Sequence, residues 1–114
     1  MYVKGEIMRQ VSPKQSQRLK EYRRVRDCLY QLNAVGNHGR SELSGKPATY
    51  SYNLGEVALE LHHVCGRIGD KLCDPYGMIL ITFEEHRDCE NNEYTKEELL
   101  SIVEPIRRKQ GWER

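Results

Sequence analysis

The sequence has no apolar run near the roughly 18 residues that a membrane span needs. Its first ten residues, MYVKGEIMRQ, lack the apolar stretch of a secretory signal. A cytoplasmic protein without membrane contact is the expectation. No pair of the four cysteines (Cys28, Cys65, Cys73 and Cys89) has the C-x-x-C spacing. A zinc ribbon or a thioredoxin-like motif cannot be built from them alone, and in a reducing compartment they read as free thiols. Net charge is also lacking, at +1 for the chain, so a partner must be sought in how charge is distributed. What remains is 114 residues, 38% hydrophobic and 31% charged: enough for one small folded domain.

The distribution of charge is uneven. SPKQSQRLKEYRRVRDCLYQLN, within residues 12–33, predicts a helix. Ser12 and Gln15 have the spacing of a capping box, and Pro13 suits the first helical position. Leu19, Tyr22, Val25, Leu29 and Leu32 form one apolar stripe. The other face carries Lys14, Arg18, Lys20, Arg23, Arg24 and Arg26 against Glu21 and Asp27, a net charge of +4. Such a face is either solvated surface or a surface that tracks phosphates.

Residues 34–56 are dense in Gly, Asn, Ser and Pro and predict a loop. VALELHHV then alternates Val57, Leu59 and Leu61 on one face, as a half-buried strand does. Breakers follow at Gly66, Gly69, Pro75 and Gly77, then a second apolar strand, MILITF, and a short helix from EEHRDCEN. Residues 95–111 predict a last helix, opened by a Thr95/Glu98 capping box and closed at Gly111, with Pro105 expected to kink or divide it. The fold class is therefore α+β: a ββα unit over residues 57–92, between a basic N-terminal helix and a C-terminal helix.

The histidines carry the chemistry. Adjacent residues of a strand face opposite ways, so His62 and His63 cannot share a task. His86 and Glu90 lie four apart on one helical face. His62, His86 and Glu90 would supply two imidazoles and a carboxylate to one divalent ion, with positions left open. His63, free of the metal, would serve as general base. A lone histidine is more often hydrogen-bonded surface, and Cys65, Cys73, His86 and Cys89 offer a different, closed zinc site.

The stretch ALELHHVCGRIGDKLCDPYGMILITFEEHRDCE, residues 58–90, resembles the HNH endonucleases, whose active site is a ββα-metal finger. LELHHVCGR is similar to the family's first-strand motif, and DPYGMILITFEEH to the second strand and the helix bearing the last histidine. The resemblance implies His62 and His86 as metal ligands, His63 as the base that activates water, and Arg67 as a phosphate contact. Glu90 falls where colicin-type members place a further histidine ligand. The cofactor implied is one divalent ion (Mg, Mn, Ni or Zn), bound where the ion can polarise the phosphate and the leaving oxygen.

Many phage and bacterial members carry a zinc knuckle of two C-x-x-C pairs. Those positions hold Ser41, Ser44, Thr82 and Glu85 here, so no structural zinc is expected. The family's Asn position holds Gly77; Asp74, Asn91 or Asn92 are the neighbours that would replace it. Residues 12–33 also resemble the basic helix of small phage members. The implied function is a low-specificity, metal-dependent nuclease acting on nucleic acid, DNA first, encoded by a phage or mobile element, alone, as a homodimer or with a protein partner. The alternative is a non-catalytic descendant that binds nucleic acid or protein as an inhibitor or accessory module.

Overall fold

A computed structural model describes residues 12–114. Helix α1, Pro13–Gly36, begins where the Ser12 hydroxyl accepts the Gln15 N–H at 3.0 Å. It buries Val25, Leu29 and Asn33, one residue per turn, and leaves Leu19, Tyr22 and Leu32 half-buried beside them. It runs three residues past the expected end. Asn33 accounts for part of this, because its amide donates to the Arg40 carbonyl at 2.9 Å and its own carbonyl accepts from Asn37.

The expected loop contains a hairpin. β1 (Tyr50–Ser51) pairs antiparallel with β2 (Glu56–Val57), and Gly55, at φ +74°, turns the chain between them. Val57, expected on the buried face of the next strand, belongs to this hairpin and is 65% exposed. The hairpin is held by polar bonds: the Ser51 hydroxyl accepts the Leu54 N–H and donates to Glu60.

β3 (Glu60–His63) and β4 (Met78–Ile81) form the second antiparallel sheet, pairing Glu60 with Ile81 and His63 with Met78. All of β4 is buried, which explains its unbroken apolar sequence. Met78 and Leu80 pack with Val25, Leu29 and Leu59 toward α1. Ile79 and Ile81 pack with Cys89, Leu99 and Val103, from the two helices that follow. Each such aliphatic side chain contributes about 1.5–3 kcal/mol by leaving water.

Thr82 and Phe83, expected in the second strand, instead start α2 (Phe83–Glu90). The Thr82 hydroxyl and Glu85 form a reciprocal capping box there. Helix α3, Lys96–Lys109, opens with the expected Thr95/Glu98 box. Pro105 does not divide it, because α3 is anchored on both sides of the proline, by Leu99 and Val103 before it and by Arg107 after it. Arg107 is fully buried. It donates to both Glu42 carboxylate oxygens at 2.7 and 2.6 Å, and to the carbonyls of Pro75 and Met78. Glu42 in turn accepts the Leu80 N–H, so this ion pair ties α3, β4 and the segment after α1 together.

The architecture is α+β, with three helices and two small antiparallel sheets among the described residues. None of these helices is long and apolar enough to cross a membrane.

Candidate functional site at the histidine strand

β3 separates its side chains strictly by face. Glu60 and His62 share the side of Ile79 and Ile81, over which α2 packs; Leu61 and His63 share the side facing α1. His62 therefore meets His86 of α2, with ring centroids 5.0 Å apart at 60°. His86 Nδ1 donates to Glu60 Oε1 at 2.5 Å. Glu60 is buried and also accepts from Ser51 Oγ at 2.5 Å and from the Asn53 amide at 3.0 Å. Burial alone would raise its pKa, but the donors Ser51, His86 and Asn53 outweigh it and hold the carboxyl below the usual range. The His62 pKa is lowered by burial first and by the neighbouring His86 and His63 next; Glu90 opposes.

On the other face, His63 Nε2 lies 3.2 Å from the Leu72 carbonyl, and Nδ1 lies 3.3 Å from the Arg67 guanidinium. A guanidinium only donates and a carbonyl only accepts, so this pattern puts the proton on Nε2 and the lone pair on Nδ1. Burial lowers the His63 pKa, Leu72 opposes the shift and Arg67 adds to it. Tyr22 of α1 completes this side, its ring 5.5 Å from His63 and 5.1 Å from the Arg67 guanidinium carbon.

The structure thus brings His62 and His86 together, and separately His63 and Arg67. Glu90 is exposed at the end of α2, and its charge reaches His62. Sequence reasoning missed Glu60, although the signal was present in Glu-Leu-His, since residues two apart on a strand share a face. It also read Tyr22 only as core. The alternative set of Cys65, Cys73, His86 and Cys89 does not gather: Cys73 donates to the Arg18 carbonyl, Cys89 lies in the core and Cys65 borders Gly77. Among the described residues no three His, Cys, Asp or Glu side chains already converge as an ion cage.

The donor chemistry nonetheless fits a divalent ion. His86 spends Nδ1 on the Glu60 carboxylate, which leaves Nε2 as the nitrogen with the free lone pair, as in carboxylate–histidine–metal arrangements. His62 is biased to the neutral, ligating form. His62 and His86, with Glu90 one turn on, are the residues that would hold it.

Ser41, Ser44, Thr82 and Glu85 do converge. Ser41 Oγ donates to one Glu85 carboxylate oxygen at 2.5 Å, the Ser44 hydroxyl donates to the other, and Glu85 and Thr82 cap each other. The donors Ser41, Ser44 and Thr82 hold the Glu85 carboxyl below its ordinary range, against the opposing effect of burial. Gly77 has an ordinary negative φ, and its Cβ would meet Asp74 and Cys65 only at van der Waals distance. The turn it ends is tied by Asp74, which accepts the Tyr76 N–H, while the Gly77 carbonyl accepts from Val64. Neither Asn91 nor Asn92 sits there; they end α2.

The basic face of α1 is partly neutralised. Arg24 pairs with Glu21 at 2.5 Å, Arg26 with Asp27 at 3.0 Å and Arg18 with Asp70 at 3.6 Å, while Lys14, Lys20 and Arg23 are exposed. Against family models, curated proteins and solved structures, the chain finds no match.

Proposed function

We propose that this chain is an HNH-type endonuclease that hydrolyses phosphodiester bonds in DNA with low sequence specificity, encoded by a phage or mobile element. One observation carries the reading: β3 and α2 together place two imidazoles and an orienting carboxylate on one face of the sheet, and the other face carries a third imidazole with an exposed arginine against it. A binding module has no use for that division.

His63 Nδ1 takes the proton of the attacking water. The Leu72 carbonyl holds the ring in the required tautomer and stabilises the imidazolium that forms. Arg67 leaves Nδ1 for the phosphate, which offers its guanidinium two oxygens in place of one nitrogen. His62 and His86, with Glu90, would hold a divalent ion, which would supply Lewis-acid stabilisation of the leaving oxygen. Lys14, Lys20 and Arg23, with Arg18, Arg24 and Arg26 once their surface ion pairs open, hold the phosphate backbone in a salt-sensitive manner.

Nicking of supercoiled plasmid with Mg²⁺, Mn²⁺, Ni²⁺ or Zn²⁺, abolished by EDTA, tests this. A second reading has one observation in its favour: Arg67 occupies the lone pair that catalysis requires. A non-catalytic nucleic-acid- or protein-binding descendant would shift DNA, or capture a partner, yet nick with no ion.

A further inference from the structure

The β1–β2 hairpin exposes more aromatic and apolar surface than its two-residue strands need. Tyr52 is 76% exposed, Tyr50 47% and Leu54 51%. The rings are ordered: Tyr50 and Tyr52 lie 4.9 Å apart edge to face, Tyr52 and Phe83 5.3 Å apart, and the Arg87 guanidinium caps Phe83 at 5.8 Å. This ladder is fixed to the histidine site by two ties. Ser51, between the tyrosines, and Asn53 donate to Glu60, the same carboxylate that orients His86. Thr49 Oγ1 donates to Glu84 of α2 at 2.9 Å. Phe83 and His86 are three apart on α2, so the ladder begins one helical turn from the candidate metal ligand.

An aromatic row that runs from two exposed tyrosines through half-buried Phe83 to a cation, beside the proposed phosphate-cleaving site, matches one chemistry: the π-faces of unpaired bases. Bases stacked in a duplex do not present those faces. We propose that the Tyr50–Tyr52–Phe83–Arg87 ladder is a stacking platform for unpaired nucleobases, which makes single-stranded or frayed nucleic acid the bound substrate. The platform rests on the nuclease reading for its purpose but not for its test.

Binding of a 2-aminopurine-labelled single-stranded oligonucleotide is measured in EDTA, beside a duplex of the same length. The expected result is quenching of the label and tighter binding of the single strand. Tyr52→Ala should weaken that binding about 5- to 100-fold, the weight of one base–aromatic stack, while Tyr52→Phe retains it. Tyr52 packs in no core, so the folded state should survive both changes. Equal affinity of the parent and Tyr52→Ala, or binding of the single strand without quenching, overturns the proposal. Because no metal is present, a protein that stacks single strands but never nicks would overturn only the nuclease reading. A protein that nicks yet ignores Tyr52→Ala would overturn only the platform.

Discussion

Glu60 Oε1 accepts a hydrogen bond from His86 Nδ1 at 2.5 Å, joining strand β3 to helix α2 across 26 residues of chain. The same carboxylate gathers Ser51 and Asn53, so it fixes at once the ring orientation of one candidate ligand and the position of the hairpin. A buried carboxylate with three donors is satisfied; with one fewer, its neighbours lose their orientation.

Glu60→Gln keeps the size of the side chain and removes its charge. Affinity for Mn²⁺ or Zn²⁺, measured by titration calorimetry, should fall about 10- to 100-fold, the usual loss when the partner of a ligating histidine is changed. Unchanged affinity would remove His86 from the metal site.

His63 has its pKa lowered by burial and by Arg67, so it should be unprotonated at neutral pH. Cleavage should rise with pH on the acid side and level off by neutrality, since the base works only after losing its proton. Arg67→Ala removes a charge that lowers the His63 pKa, so its acid limb should move to higher pH and its plateau should drop. An unmoved limb would separate Arg67 from His63.

Arg107→Met leaves the Glu42 carboxylate buried without its partner. Urea denaturation should show a loss of about 3–5 kcal/mol, the cost of breaking a buried pair from one side. A loss below about 1 kcal/mol, as at exposed pairs, would mean that Glu42 finds water.

The Glu85 carboxyl sits below its ordinary pKa. It therefore adds stability that is complete above the unfolded value of about 4.3 and is lost as pH falls through the lower native value. Glu85→Gln should be less stable at neutral pH and should show a shallower decline below about pH 5, followed by thermal denaturation. Parallel acid curves would contradict the cluster's part in holding Ser41 and Ser44.

The elements legible in the sequence were those with periodic apolar residues or local caps: α1 from its stripe and Ser12, α3 from Thr95 and Glu98, and β4 from its unbroken apolar run. The hairpin was not legible, because Ser51, Asn53 and Glu60 hold it through polar bonds between segments and leave no alternation to read. Thr82 was misplaced for a related reason: a β-branched residue after an apolar run continues a strand equally well, and only Glu85 three residues on marks it as a cap. At the candidate site, the opposite facing of His62 and His63 followed from strand geometry alone. Orienting groups such as the Leu72 carbonyl did not, since any residue type supplies a carbonyl and only the fold selects which one. Gly77 carries no side chain to tie its turn, and there the Asp74 carboxylate accepts the Tyr76 N–H.

The central claim is that His63 is the base of a metal-dependent nuclease, and one comparison tests it most directly. Parent and His63→Ala are assayed for plasmid nicking under matched metal, with metal affinity measured on both. A rate about 10²- to 10⁴-fold lower in the variant, with metal affinity unchanged, is the predicted result. Equal nicking by the two proteins, or none by the parent with any ion, would contradict it.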